Sequence, residues 1–319
     1  MSTATVNTRT IDHIVHLTPP GTVEEVSEEF RKLGFTVLRG GTHAGGLTAN
    51  ALVVLKEGTY IELISFTHPV SYYPPGSAER TAREAHRWAK ESPGWIDYAF
   101  LGNDESEVGR RVSDTINKRW EGEDQGREGR EEALYLEETK GGRVRPDGQL
   151  LRWLITNPAS RDVLGVLPFF CGDVTPRILR VQTEPPSNTE HPATVQGLAY
   201  LQLLVSHPRF EETKDQLTAV IGSQPSISPG QETQKAVWDL DTALPLAKDT
   251  KRPQLILEVP SNEEQLSFVG SRPDNADSLQ NGGGIGIFEV AFYVENLGGY
   301  PEEGRTPPGR IRFVPAAQL

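Results

Sequence analysis

Hydrophobic periodicity changes three times early in the chain. Ile11-Asp12-His13-Ile14-Val15 reads as a strand, and a helical stripe follows in which Val23, Val26, Phe30 and Leu33 share one face. Thr22-Val23-Glu24-Glu25 has the spacing of a capping box, and Gly34 stops the helix. Three β-rich runs come next: Phe35-Thr36-Val37-Leu38, Ala51-Leu52-Val53-Val54-Leu55, and Thr59 to Phe66. Lys56-Glu57-Gly58 joins the last two as a hairpin turn, so the segment is a βαβββ module.

The order then restarts twice. A connecting helix is expected from Ser77 to Lys90, with Ala78, Ala82, Ala85 and Trp88 or Ala89 as its apolar stripe and His86 off that stripe, facing solvent. Trp95 to Leu101 is a strand, and Asn103-Asp104-Glu105-Ser106-Glu107 caps a helix carrying Val108, Val112 and Ile116. Glu121 to Glu132 is too polar to bury much area and reads as a mobile surface loop. Strands are expected at Ala133-Leu134-Tyr135-Leu136, Gln149 to Ile155 and Leu167-Pro168-Phe169-Phe170.

After the linker-like Glu184-Pro185-Pro186-Ser187-Asn188-Thr189-Glu190, a third strand and helix run from Val195 to Gly222. Strands near Val237-Trp238-Asp239-Leu240, Pro253 to Val259 and Ile285 to Val294 complete that count. The expected fold class is α+β: repeated βαβββ modules at 11–67 and 94–173 paired within 8–180, a linker at 181–193, and a third such module over 194–319. An odd module leaves one partner to be found, within the chain or in a homodimer. Gly282-Gly283-Gly284-Ile285-Gly286 precedes a strand rather than a helix, so it is not a phosphate-binding loop and no nucleotide cofactor is expected.

Composition narrows the function classes. A net charge of -12 argues against a nucleic-acid partner, and no apolar run approaches the roughly 18 residues of a membrane span. The N-terminal residues carry no export signal, so a cytoplasmic protein is expected. Cys171 is the single cysteine, which excludes an intramolecular disulfide and a Cys-cluster metal site; it reads as a small buried hydrophobe.

The candidate chemistry lies in the first module. His13 and Glu62, on its first and last strands, are half of a site for Zn, Fe, Mn or Ni. Strand alternation puts His13, Val15 and Leu17 on one face and His16 on the other, so His16 cannot join His13 at one ion. His43, in a Gly-rich loop, is a candidate acid, base or substrate hydrogen-bonding group, or else a loop histidine. Asn50, which begins the strand that follows, is a candidate substrate-binding residue or else a turn-stabilising amide. Arg152, before Trp153, has the guanidinium fork that holds a carboxylate or a polarised carbonyl, or else forms a structural ion pair.

These segments resemble the vicinal oxygen chelate superfamily and, within it, the glyoxalase-like domain proteins. The resemblance rests on Ile11-Asp12-His13-Ile14-Val15, Leu33-Gly34-Phe35, Gly40-Gly41-Thr42-His43, Thr48-Ala49-Asn50 and Tyr60-Ile61-Glu62-Leu63. It continues through Arg143-Val144-Arg145-Pro146-Asp147-Gly148, Leu151-Arg152-Trp153 and Leu167-Pro168-Phe169-Phe170. It implies paired modules forming a cupped sheet, with metal ligands from the first and last strands of each, and His13 and Glu62 match two such positions. The second module departs from the pattern: Asp97 and Tyr98 stand where a His is expected, and Phe169-Phe170-Cys171-Gly172-Asp173 has no glutamate. Asp97, or else Asp173, is the candidate substitute ligand.

Two functions follow from the resemblance. One is divalent-metal-assisted lyase, isomerase or dioxygenase chemistry on a small oxygenated metabolite. The other is metal-free sequestration of a small molecule, of the bleomycin-resistance type, with Tyr60, Trp95 and Trp153 as aromatic lining. A second-module carboxylate converging on His13 and Glu62 favours the first, and an apolar wall there favours the second.

Overall fold

In a computed structural model of the chain, the residues described are 6–43, 45–103, 111–122, 132–145, 147–227, 234–246, 250–271, 284–306 and 309–315. Residues 104–108 of the expected second helix cap, 123–131 of the polar insertion, Pro146, and Gly282-Gly283 lie outside them.

The first module is built as its periodicity predicts, with shifted edges. Strand β1 (Ile11–Thr18) is buried along its whole length, and helix α1 (Val23–Lys32) covers one face of it with Val26 and Phe30. The capping box is not formed: the Thr22 hydroxyl donates to the Pro19 carbonyl (2.8 Å) and makes no cap bond. Strand β2 (Leu38–Thr42) begins where the predicted run ends and takes in the glycines assigned to a loop. Glycine is required there, because a Cβ on Gly40 would collide with the Asn50 backbone across the ladder. Strands β3 (Thr48–Val54) and β4 (Tyr60–Phe66) follow, β4 pairing parallel to β1.

Helix α2 (Ala78–Ala85) is shorter than expected. Its alanines are exposed, and its buried residue is Arg83, whose guanidinium lies over the Phe66 ring. The second module comprises β5 (Gly94–Leu101), α3 (Val112–Gly122), β6 (Thr139–Val144), β7 (Leu150–Thr156) and β8 (Phe169–Asp173). The strand expected at Ala133 to Leu136 is only a bridge from Tyr135 to Pro158, and β6 takes its place. Strand β5 runs antiparallel to β1, which sets two modules back to back in the order β2-β3-β4-β1-β5-β8-β7-β6. The edge strands β2 and β6 touch, so the sheet curls into a nearly closed cup.

The C-terminal half repeats this plan: β9 (Val195–Leu204), α4 (Phe210–Ile221), β10 (Ser226–Ile227), β11 (Lys235–Asp239) and β12 (Gln254–Glu258) form a module closed by β12 parallel to β9. Helix α5 (Glu263–Ser271) leads to β13 (Gly286–Val294), β14 (Glu303–Thr306) and β15 (Gly309–Pro315). Strand β13 does not complete the third module, as its sequence position had suggested. It pairs antiparallel with β9, as β5 does with β1, and opens a shorter fourth unit. All nine residues of β13 are buried, the mark of a central strand. The odd module thus finds its partner in the same chain.

The helix-bearing sides of the two sheets share one core. Phe35 packs edge-on against Phe292 (5.2 Å between centroids), and Trp95 Nε1 donates to the Arg310 carbonyl (3.0 Å). The concave side of the first sheet has its own apolar cluster of Val15, Leu17, Ile64, Phe66, Trp88, Ala99, Phe169 and Cys171. Among the described residues no helix is long and apolar enough to cross a membrane.

Candidate functional site

Strand parity divides the two histidines of β1. His16 faces the helix side, edge-on to Phe30 and Trp95 (5.4 and 4.8 Å), where burial pushes its pKa down to about 3. His13 faces the cup. A bulge in the β1–β5 ladder at Asp12 breaks the strict alternation, and the adjacent side chains meet: His13 Nδ1 lies 2.7 Å from Asp12 Oδ2.

Burial alone would raise the Asp12 pKa, but Arg180 and Arg177, with the His13 hydrogen bond, hold the carboxyl well below the usual range. An ionised carboxylate only accepts, so the His13 proton sits on Nδ1 and its Nε2 offers a lone pair to the cup. The Tyr60 ring stacks on the imidazole (4.6 Å), and Arg180 Nη1 donates both to Asp12 Oδ2 and to the Tyr60 hydroxyl (2.8 Å each). Burial also pushes the Tyr60 pKa well up, so the phenol keeps its proton.

Across from His13, Glu62 Oε1 accepts from Asn50 Nδ2 (2.6 Å), and Asn50 Oδ1 accepts from the Gly41 amide (3.0 Å). His43 Nδ1 lies 2.8 Å from Thr48 Oγ1, and the Asn50 amide nitrogen faces its Nε2 at 3.5 Å, which places the proton on Nδ1. Burial lowers the His43 pKa against the pull of Glu62, and Arg143 and His13 lower it further, so the ring is neutral near pH 7. His13 Nε2 is 3.9 Å from Glu62 Oε2 and His43 Nε2 is 3.6 Å from Glu62 Oε1. Both distances exceed a hydrogen bond, and Asn50 Nδ2 already serves Glu62 Oε1 and His43 Nε2, so among the described residues His13 Nε2 and Glu62 Oε2 face the gap with no donor.

That gap opens into a cavity of about 760 Å³. His13, His43, Asn50, Tyr60 and Glu62 form one wall; Arg152, Trp153, Phe169 and Cys171 contribute to the other, with Arg152 exposed at the rim. Burial pushes the Cys171 thiol far up, which leaves it unreactive.

Several expectations are corrected here. Asp97 does not join His13 and Glu62 as a third metal ligand: its Oδ2 accepts from Arg87 Nη2 (2.6 Å) and Trp88 Nε1 (2.9 Å), its Oδ1 from the Tyr98 amide (3.0 Å). Asp173 is held by Arg180 (2.6 Å) and Arg177 (3.2 Å). Trp95 lies in the inter-sheet core, not in the cup. His86 is half-buried rather than solvated. It packs against Phe66 (5.0 Å) and lines the cavity, its pKa taken down to about 4 by burial, then by Arg83 and Arg87. The turn after α2 also carries Arg87 and Trp88 into the cup, which the assumption of a longer helix had hidden.

His13 and Glu62 have the donor chemistry of a divalent metal site, and Asp12 stands where an outer carboxylate orients a metal-bound imidazole. The second module, however, presents Phe169, Cys171 and an arginine-bound Asp97. Among the described residues no three His, Cys, Asp or Glu side chains group closely enough to hold an ion. The residues present do not fit the expected ligand set.

A family model and one solved structure agree with this architecture. A family described as glyoxalase-like domain matches residues 11–221. A hypothetical protein from Staphylococcus aureus is similar in structure, with a TM-score of 0.58 and 11% identity over 96% of this chain and 99% of that one. A mutant of 4-hydroxymandelate synthase from Streptomyces coelicolor aligns at a TM-score of 0.47 with 12% identity, over 90% of this chain and 71% of that one. Methylmalonyl-CoA epimerase from Mycobacterium tuberculosis aligns at 0.24 with 16% identity, over 39% and 89%. None of the curated proteins matches the chain.

Proposed function

Because this chain belongs to the glyoxalase-like domain family of the vicinal oxygen chelate superfamily, we propose that its N-terminal cup holds a small oxygenated metabolite and exchanges a proton with it. The observation that carries the reading is the gap ringed by His13 Nε2, His43 Nε2 and the Glu62 carboxylate. His13 Nε2 and Glu62 Oε2 are left calling for a donor, and a hydroxyl beside a carbonyl supplies one.

His13 Nε2, with Asp12 behind its ring, is the proton acceptor, and the imidazolium that forms lies between two carboxylates. Glu62, fixed by Asn50, accepts from the substrate hydroxyl. When His13 takes the carbon-bound proton the electron pair moves onto the carbonyl oxygen, which takes a proton from solvent and, as the enediol hydroxyl, donates to neutral His43. The chemistry is isomerase- or lyase-like proton transfer at the carbon next to a carbonyl.

The test is hydrogen–deuterium exchange of 2-hydroxy ketones and 2-hydroxy aldehydes in deuterated buffer, followed by proton NMR. Wild type should exchange the carbon-bound hydrogen, and His13→Ala and Glu62→Gln should lose about 10²-fold or more. Elemental analysis of the same samples checks metal independence: near-stoichiometric metal, lost in both variants, would overturn it.

A second reading is sequestration without turnover. The apolar wall of Trp88, Trp153, Phe169 and Cys171 favours it, since such a surface holds a ligand without activating it. Wild-type exchange no faster than buffer, together with ligand binding, would leave this reading in place of the first.

A further inference from the structure

The N-terminal cup contains a buried cation that no carboxylate among the described residues contacts. Arg143, on β6, is 5% exposed and lines the cavity, and its Nη1 is buried with no hydrogen-bond partner. The neighbouring arginines are matched: Arg87 with Asp97, Arg180 with Asp12 and Asp173, and Arg145 with Asp147. A buried guanidinium that no carboxylate among the described residues contacts is costly, and a folded chain that keeps one has left a donor free for something that enters.

The position of Arg143 suits such a role. Where β2 and β6 meet, a side pocket of about 180 Å³ lies between Leu38 and Arg39 on one edge and Arg143 and Arg145 on the other. It shares Arg143 and Arg180 with the main cavity. Glu62 attracts Arg143 through space but makes no hydrogen bond to it, so the guanidinium keeps a donor for an anion in the same cavity.

We propose that Arg143 anchors a carboxylate of the bound metabolite, whose hydroxyl then reaches the gap between His13, His43 and Glu62. This rests on the reading of the N-terminal cup as a metabolite site. One unmatched positive charge fits one negative charge, and the guanidinium fork fits a carboxylate. A phosphate ester would bring nearly two negative charges against that single cation, beside Glu62.

The test is thermal unfolding of the full chain in sodium formate, acetate, phosphate and chloride at constant ionic strength, for wild type, Arg143→Lys and Arg143→Met. Formate or acetate at about ten times its dissociation constant should raise the wild-type Tm by roughly 2–4 °C over chloride. Arg143→Met should lose this shift and melt higher than wild type in chloride, and Arg143→Lys should keep only part of it. Equal shifts in wild type and Arg143→Met, no shift in either, or a larger shift with phosphate than with acetate would overturn the proposal. These melts read anion binding alone, so failure here with intact proton exchange removes the carboxylate anchor and leaves the proposed function standing.

Discussion

The two sheets share a topology and differ in what their concave sides leave unpaired. In the C-terminal sheet, Glu289 is buried and its carboxylate accepts from Tyr200 (2.5 Å), Arg312 (3.0 Å) and Arg310 (3.2 Å). Gln202 donates to Glu258 (2.8 Å), and Glu264 from α5 pairs with Arg310 (2.6 Å). The remaining hollow is about 250 Å³. In the N-terminal sheet, two imidazoles and a carboxylate face a gap, and a guanidinium on the opposite wall touches no carboxylate among the described residues. The same plan, one strand shorter in the C-terminal sheet, therefore carries a self-paired network in one half and, in the other, the candidate site with polar atoms turned to a cavity. Function follows the polar atoms left open, not the fold.

Paired substitutions at the two buried glutamates would break this comparison most directly. Glu62→Gln should reduce proton exchange by about 10²-fold or more and move stability by less than roughly 1 kcal/mol. Glu289→Gln should leave exchange untouched and cost roughly 1.5–3 kcal/mol in urea melts, because it weakens three charge-assisted bonds. The reverse pattern would place the active half in the C-terminal sheet.

Asp12 marks where the N-terminal cup is built like its counterpart. Asp12→Ala should cost roughly 3–5 kcal/mol, since it strips a buried counter-ion from Arg180 and Arg177, and it should also free the His13 ring. Exchange activity that persists with full stability would remove Asp12 from both roles.

A smaller effect separates His16 from His13. His16 titrates near 3 in the fold against 6.5 in the unfolded chain, so below pH 6.5 the unfolded chain takes up a proton that the fold refuses. Stability from this group is complete above pH 6.5 and falls as the pH drops toward 3. His16→Phe should remove that dependence, so the stability difference from wild type should change by roughly 1.4 kcal/mol per pH unit below 6.5. Parallel pH profiles for the two proteins would contradict the buried neutral ring. The smallest effect is at Thr22, where Thr22→Ala should cost under about 0.5 kcal/mol because the side chain does not cap α1.

Local pattern was enough to bring many of the candidate residues to one cavity. Two-residue alternation placed His13, Tyr60 and Glu62 on one face and His16 on the other, and the β3 and β7 runs carried Asn50 and Trp153 to the same cavity. Alternation failed at Asp12, where a bulge sets consecutive side chains together, and after Ala85, where the helix ends early and the turn brings His86, Arg87 and Trp88 inward. It also misread β13, whose sequence is that of a buried strand but whose partner is chosen by the sheet.

Sequence by itself determined the βαβββ order, the parity of its strands and the inventory of donors and acceptors, because these depend on neighbours one to four residues away. Only the tertiary structure decided which charges are spent on one another. Asp97 meets Arg87, Asp12 meets Arg180 from 168 residues away, and Arg143 touches no carboxylate among the described residues. Charge pairing is settled by distances of a few ångströms across strands far apart in the chain, and those distances exist only once the sheet has curled.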